Sequence, residues 1–291
     1  MKKVLIGAIA LTLIGAGCSE PAAEVSADDV DLHAGAKIAF AQNVSWLHNP
    51  FVSNDGAELR SATIDAWTTG ESAALSWTHS EQQETAASIA AREAAANAPV
   101  GSGVVMPDAV YETVTTNGTI TTDALDNAER VMLPSYWPEG AYDVRGEENS
   151  LVWLSRAQYD ELVTTRSSHI ALGLFDSTLQ NILGFGDTVN AALARLQGNV
   201  ATDDAASNTD ITKLTADPDW GDYTLTLNGT QSVVKTVTAS SLFADYTILA
   251  NAENPLILKV GVKPLSLGLG MLSTLSAINS LAGYHVTAIT Y

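Results

Sequence analysis

Seven Asp and Asn side chains lie between positions 203 and 222: Asp203, Asp204, Asn208, Asp210, Asp217, Asp219 and Asp222. Calcium takes roughly six to eight oxygens, and closely spaced Asp and Asn on a turn can supply them. An EF-hand order is not met, because Gly221 precedes the third acid of the DPDWGD run and no bidentate Glu follows at the required distance. The stretch is therefore read as a solvated acidic loop, and no metal site is assigned.

The other reactive side chains are scattered. The five histidines, His33, His48, His79, His169 and His285, pair neither with one another nor with the lone cysteine at metal-ligand spacing. No G-x-S-x-G elbow, no S-x-x-K with its partner motifs and no H-E-x-x-H occurs. Glu147-Glu148 and Asp160-Glu161 offer the paired carboxylates of a glycosidase, but an acidic chain always holds such pairs, and they read as solvated faces. Gly184-Phe185-Gly186 lacks the third glycine and the βαβ frame of a dinucleotide site. Asp187 after it reads as a helix cap whose charge would repel phosphate. No cofactor is implied.

Cys18, the single cysteine, excludes an intramolecular disulfide. It stands at the end of MKKVLIGAIALTLIGAGCSE, where Lys2 and Lys3 precede an apolar stretch over residues 4–14. A spanning helix needs about 20 apolar residues, so this stretch fits a signal-peptide core instead. Gly15, Ala16 and Gly17 then lead into Cys18. The leader resembles bacterial lipoprotein precursors, departing at Gly15, where Leu is commonest. That resemblance implies thiol lipidation at Cys18, cleavage before it, and a membrane partner through the anchor. Ser19 in place of Asp, by analogy with enterobacterial lipoproteins, implies the outer membrane. Two or more acyl chains would make the attachment stable.

Composition limits the body. Hydrophobic residues make up 46% and charged residues 16% of 291, too apolar for disorder and too punctuated for several membrane spans. Acids outnumber bases 33 to 14, and removal of residues 1–17 would leave 33 against 12. Such a surface repels nucleic acid, which is excluded as a partner.

The organisation follows: signal peptide over 1–17, lipidated Cys18 with a flexible acidic tether over 18–36, and a body over 37–291. A division of the body near 145 is left open. The body is read as α+β, with a strand-rich C-terminal half and several short helices. Residues 80–98 predict a helix opened by a Ser80–Gln83 capping box and stopped by Pro99. Residues 155–163 predict another, capped by Ser155 with Gln158, and further helices are expected over 177–198 and 270–281. Asn117-Gly118 and Asn228-Gly229 each predict a hairpin turn. Strands are expected over 150–154, 169–175, 244–249, 256–262 and 285–291. Two segments, NSLVWLSRAQYDELV (149–163) and DYTILANAENPLILKV (245–260), resemble stretches of secreted proteobacterial proteins without an assigned activity. No residue role follows from that likeness.

Together these features favour an envelope lipoprotein with a non-enzymatic binding or scaffolding role. A carrier of an apolar ligand is one alternative, with residues 265–281 lining its cavity. A hydrolase whose site is assembled from scattered residues is the other.

Overall fold

Strands dominate the fold. The computed structural model describes residues 22–43, 58–99, 101, 103–145, 149–173, 213–241, 244–263 and 283–291. Of these, 54% lie in strands and 14% are helical, with two α-helices. This overturns the α+β expectation: the fold is mostly β with a barrel-like sheet. The expected helices over 177–198 and 270–281, the leader and Cys18 lie outside the described residues.

The strands are β1 (Ala23–Val25), β2 (Lys37–Asn43), β3 (Glu58–Thr68), β4 (Ser72–Glu84) and β5 (Tyr111–Thr122). Then come β6 (Arg130–Met132), β7 (Gly140–Asp143), β8 (Ser167–His169), β9 (Ala171–Gly173) and β10 (Lys213–Ala216). The C-terminal group is β11 (Gly221–Leu227), β12 (Thr230–Ser240), β13 (Ala244–Leu249), β14 (Ile257–Val262) and β15 (Gly283–Thr290). Helix α1 spans Ala86–Ala96 and α2 spans Arg156–Thr165.

The C-terminal strands close on themselves. β11 to β15 pair in sequence order where they adjoin, and β11 returns to β15 in parallel, setting Thr226 opposite Ala288 and Leu227 opposite Ile289. Closure removes exposed edges and directs one face of every strand inward. Tyr246, Ile248, Val260, Tyr284 and Val286 are buried there. The Tyr284 hydroxyl donates to the Ile257 carbonyl at 2.9 Å and the Tyr223 hydroxyl to the Val286 carbonyl at 2.8 Å, so neither the buried nor the half-buried phenol lacks a partner. Burial raises the Tyr284 pKa well above its ordinary value.

From β15 the sheet runs outward through β2, β3, β4, β5 and β7. A register shift between Val286 and Ala288 lets Ile289 turn inward opposite Ile38, three positions after Val286 instead of two. Phe40 meets Tyr284 and Trp137 edge-on, with centroids 5.5 and 5.7 Å away. Arg60 lays its guanidinium 3.8 Å from the centre of the Trp77 ring and donates to the carbonyls of Pro134 and Trp137. Burial lowers its pKa to about 10, so the charge persists at neutral pH.

Four local expectations are corrected. Residues 22–36 are not a free tether. β1 pairs in parallel with β12, and Ala27, Val30, Leu32 and Ala36 are buried in the core. Isolated apolar residues in an acidic stretch carry no period, which is why the segment reads as unstructured. The helix at 80–98 begins only at Ala86, because Ser80 to Glu84 continue β4 opposite β5, and Thr85 is its cap. Asn117-Gly118 is not a turn but lies within β5, opposite Thr78 and Trp77. A Cβ on Gly118 would stand 2.7 Å from the Gly140 carbonyl oxygen, 2.8 Å from that of Pro138 and 2.9 Å from the Trp77 ring. That glycine serves a close approach, the other use of the residue inside a strand.

The expected strand over 150–154 is a turn instead, with Leu151 at φ 60° and one isolated bridge from Trp153 to Leu256. Two local rules do hold. Asn228 (φ 48°) and Gly229 (φ 83°) turn β11 into β12. Ser155 and Gln158 form the reciprocal capping box of α2.

Candidate functional site

Several of the acids singled out in the sequence have ordinary partners. Asp217 accepts from the Thr238 hydroxyl at 2.7 Å, and Asp222 is paired with Lys235 at 2.6 Å. Asp203, Asp204, Asn208 and Asp210 lie outside the described residues, as do Glu147-Glu148, residues 184–187 and His48. Glu161 accepts from Ser168 at 2.8 Å, and Asp160 faces Arg156 at 4.0 Å. Among the described residues, no group of three His, Cys, Asp or Glu is placed to hold a metal ion. His33, His79, His169 and His285 therefore do not converge.

Two places remain. The first is the junction of the two quoted segments, which the fold brings together. Trp153 bridges to Leu256, Leu154 N–H donates to the Pro255 carbonyl, and Ile257 N–H donates to the Val152 carbonyl. Beneath them Asn254 Oδ1 accepts from the Trp153 indole at 2.9 Å, and Asn251 Nδ2 donates to the Ala27 carbonyl at 3.0 Å. Over this junction lies an open notch with a cavity volume of about 10 Å³, lined by Trp67, Leu125, Trp153, Arg156, Glu253 and Pro255. Small-molecule sites run to roughly 300–1,000 Å³. The notch is too small and too open to be one, and the junction is structural.

The second place is the far end of the β4–β5 pair. β4 and β5 stay in register over twelve positions, from Ala73 opposite Thr122 to Glu84 opposite Tyr111. β7 covers the outer edge of β5 only from Gly118 to Thr121. Beyond that point, among the described residues, the two strands run on as a ribbon with both faces largely exposed, ending in α1 and the loop 103–110. An isolated two-stranded ribbon is marginal in water. Polar cross-strand pairs support this one: Gln82 donates to Thr113 at 2.7 Å, and the Ser80 and Thr115 hydroxyls meet at 2.9 Å.

A four-residue clip fastens the tip. The Ser88 hydroxyl donates to Glu84 at 2.7 Å and accepts from Val110 N–H at 3.0 Å, while Arg92 holds both Glu84 oxygens at 3.0 and 3.1 Å. The Ser88 hydrogen bond, followed by Arg92, lowers the Glu84 pKa. On α1, the loop that follows it and the start of β5, Ile89, Val104, Val105, Met106, Val110 and Tyr111 are exposed, Val105 by 83%. Only Val163 and Trp220 match them among the other described large hydrophobic side chains. Scattered exposed apolar residues are normal, but a concentration of them marks an interaction surface.

Sequence reading missed this tip. Its signal was present in the run VVMPDAV at 104–110, an apolar stretch broken by Pro107 and placed beside a polar strand. No protein-family description, no curated protein and no solved structure matches this chain.

Proposed function

We propose that this is an outer-membrane lipoprotein held by acyl chains on Cys18, whose body binds a protein partner without catalysis. The β4–α1–β5 arm is its docking element. The observation that carries the reading is the gathering of six exposed apolar side chains on an arm that is otherwise solvated on both faces. A solvated apolar tip costs free energy that burial against a partner would recover, at roughly 25 cal/mol per Å². The surplus of acid over base suits a partner other than nucleic acid.

Cysteine labelling tests the docking role on the full-length chain. Val105→Cys is expected to resist maleimide in intact envelopes and to react after purification and dilution in detergent. Asp219→Cys, on the exposed β10–β11 turn, should react in both states, with the unsubstituted chain as the Cys18 control. Equal reaction of Val105→Cys in both states would contradict a docked arm. Labelled palmitate that enters the protein equally with and without Cys18→Ala would contradict the anchor.

A further inference from the structure

The open edge of β5 defines what kind of partner the arm takes. Over residues 111–117 this strand pairs with β4 on one side, and among the described residues it has no partner on the other. Proteins usually protect such an edge with lysine, proline, a bulge or brevity. Here the edge carries neither lysine nor proline, and its register against β4 contains no shift. One charge, Glu112, lies in these seven residues of a chain whose formal net charge is −19. The edge is regular, nearly neutral and unguarded.

Resting on the docking reading above, the geometry points to a second copy of this chain as the occupant, joined by antiparallel pairing of β5 with β5 about a two-fold axis at Val114. Self-complementarity of the edge supports this choice. In that register Val114 meets Val114, Thr113 meets Thr115, and Glu112 meets Thr116. β-branched and hydroxyl pairs of this kind favour antiparallel strands, whereas like charges directly opposite disfavour them. The two carboxylates of Glu112 are offset to opposite ends of the ladder instead of facing each other. A two-fold contact is also the commonest way for a chain to bury one patch against itself.

The pairing continues the sheet of one copy into the sheet of the other. Residues 112–116 form the shared ladder, which stops short of Gly118, where β7 already occupies the edge. Val110 and Tyr111, at 59% and 57% exposure, flank the ladder at each end and become the apolar margin of the contact. The ribbon then gains a third and a fourth strand, which relieves its marginal stability.

The test uses full-length chains in intact envelopes. Val114 is half-buried on a solvated ribbon, so Val114→Cys should fold. Directly opposed strand residues lie within the span of a disulfide, about 4.4–6.8 Å between Cα atoms. Mild oxidation should therefore convert most of the Val114→Cys chain into a covalent dimer, while Asp219→Cys and the unsubstituted chain stay monomeric. Adding Thr116→Glu opposes a second carboxylate to Glu112 of the other copy and should reduce the dimer severalfold, whereas Thr116→Lys should preserve it. Light scattering of the unsubstituted chain in detergent should give twice the protein mass of one copy at high chain concentration and the mass of one copy on dilution. A monomeric mass at high chain concentration with no Val114→Cys dimer would overturn self-pairing, and continued protection of Val105→Cys would then assign the arm to a different protein. A dimer indifferent to Thr116→Glu would overturn the β5 register.

Discussion

Trp153 and Asn254, separated by 101 positions in sequence, meet inside the protein through a 2.9 Å hydrogen bond from the indole N–H to the side-chain oxygen. Both are almost wholly buried. Asn254 also directs its amide nitrogen toward the Val30 carbonyl at 3.5 Å, and its neighbour Asn251 holds the Ala27 carbonyl. One short turn thus joins the helix α2 region, the barrel and the N-terminal segment.

Asn254→Ala removes the acceptor and leaves a buried indole donor unsatisfied, which costs about 1–3 kcal/mol. Trp153→Phe combined with Asn254→Ala should cost less than the sum of the two single changes, because the pair acts as a unit. Urea midpoints at constant slope measure both effects. Simple additivity would show that the bond contributes nothing of its own.

The N-terminal segment should contribute to global stability. Leu32 is 4% exposed and Val30 2% exposed within the core. Leu32→Ala is expected to cost about 2–5 kcal/mol, in the range of buried leucine truncations. Removal of residues 22–36 should lower the melting temperature and expose β12 where β1 pairs with it. Unchanged melting would mean that the segment rests on the barrel without stabilising it.

Gly118 and Gly229 should fail for different reasons. Gly118→Ala forces a methyl against two backbone carbonyls and the Trp77 ring, a steric conflict costing about 1–3 kcal/mol. Gly229→Ala meets no neighbour but must hold φ at 83°, costing about 1 kcal/mol. Thermal melts of the two variants rank them, and a milder Gly118→Ala would contradict the close packing.

Acid should open the tip clip. The folded-state pKa of Glu84 is depressed, so its contribution is complete above the ordinary value of 4.5 and is lost as pH falls through the lower folded value. The amide resonance of Val110, bonded to Ser88, should shift as pH falls below 4.5 and protonation weakens the clip. Glu84→Gln should remove that titration. A Val110 resonance that moves identically in both chains would assign the change elsewhere.

The sequence was most informative where one local device decides the conformation. Ser155 with Gln158 and Asn228 with Gly229 are of this kind, and each stands where its motif places it. It misled where long-range pairing overrides the local signal. Asn117-Gly118 has turn chemistry, yet the ladder with β4 and the packing of Trp77 keep it extended. Ser80 to Glu84 have helix chemistry, yet they complete the same ladder. Closure of β11 onto β15 rests on two pairs 62 positions apart, Thr226 with Ala288 and Leu227 with Ile289, and no local pattern encodes it. The arm tip was legible only as an apolar run, because exposure is a property of what fails to pack against it.

Hydrogen exchange at the amides of residues 111–117 tests the docking arm most directly, by comparing full-length chain in native envelopes with dilute chain in detergent. On this account those outward-facing amides exchange slowly in the envelope, where a strand covers the edge, and quickly once the partner dissociates, while the closed strands β12 to β14 remain slow throughout. Rapid exchange along 111–117 in both states would leave the edge of β5 uncovered and contradict the central claim.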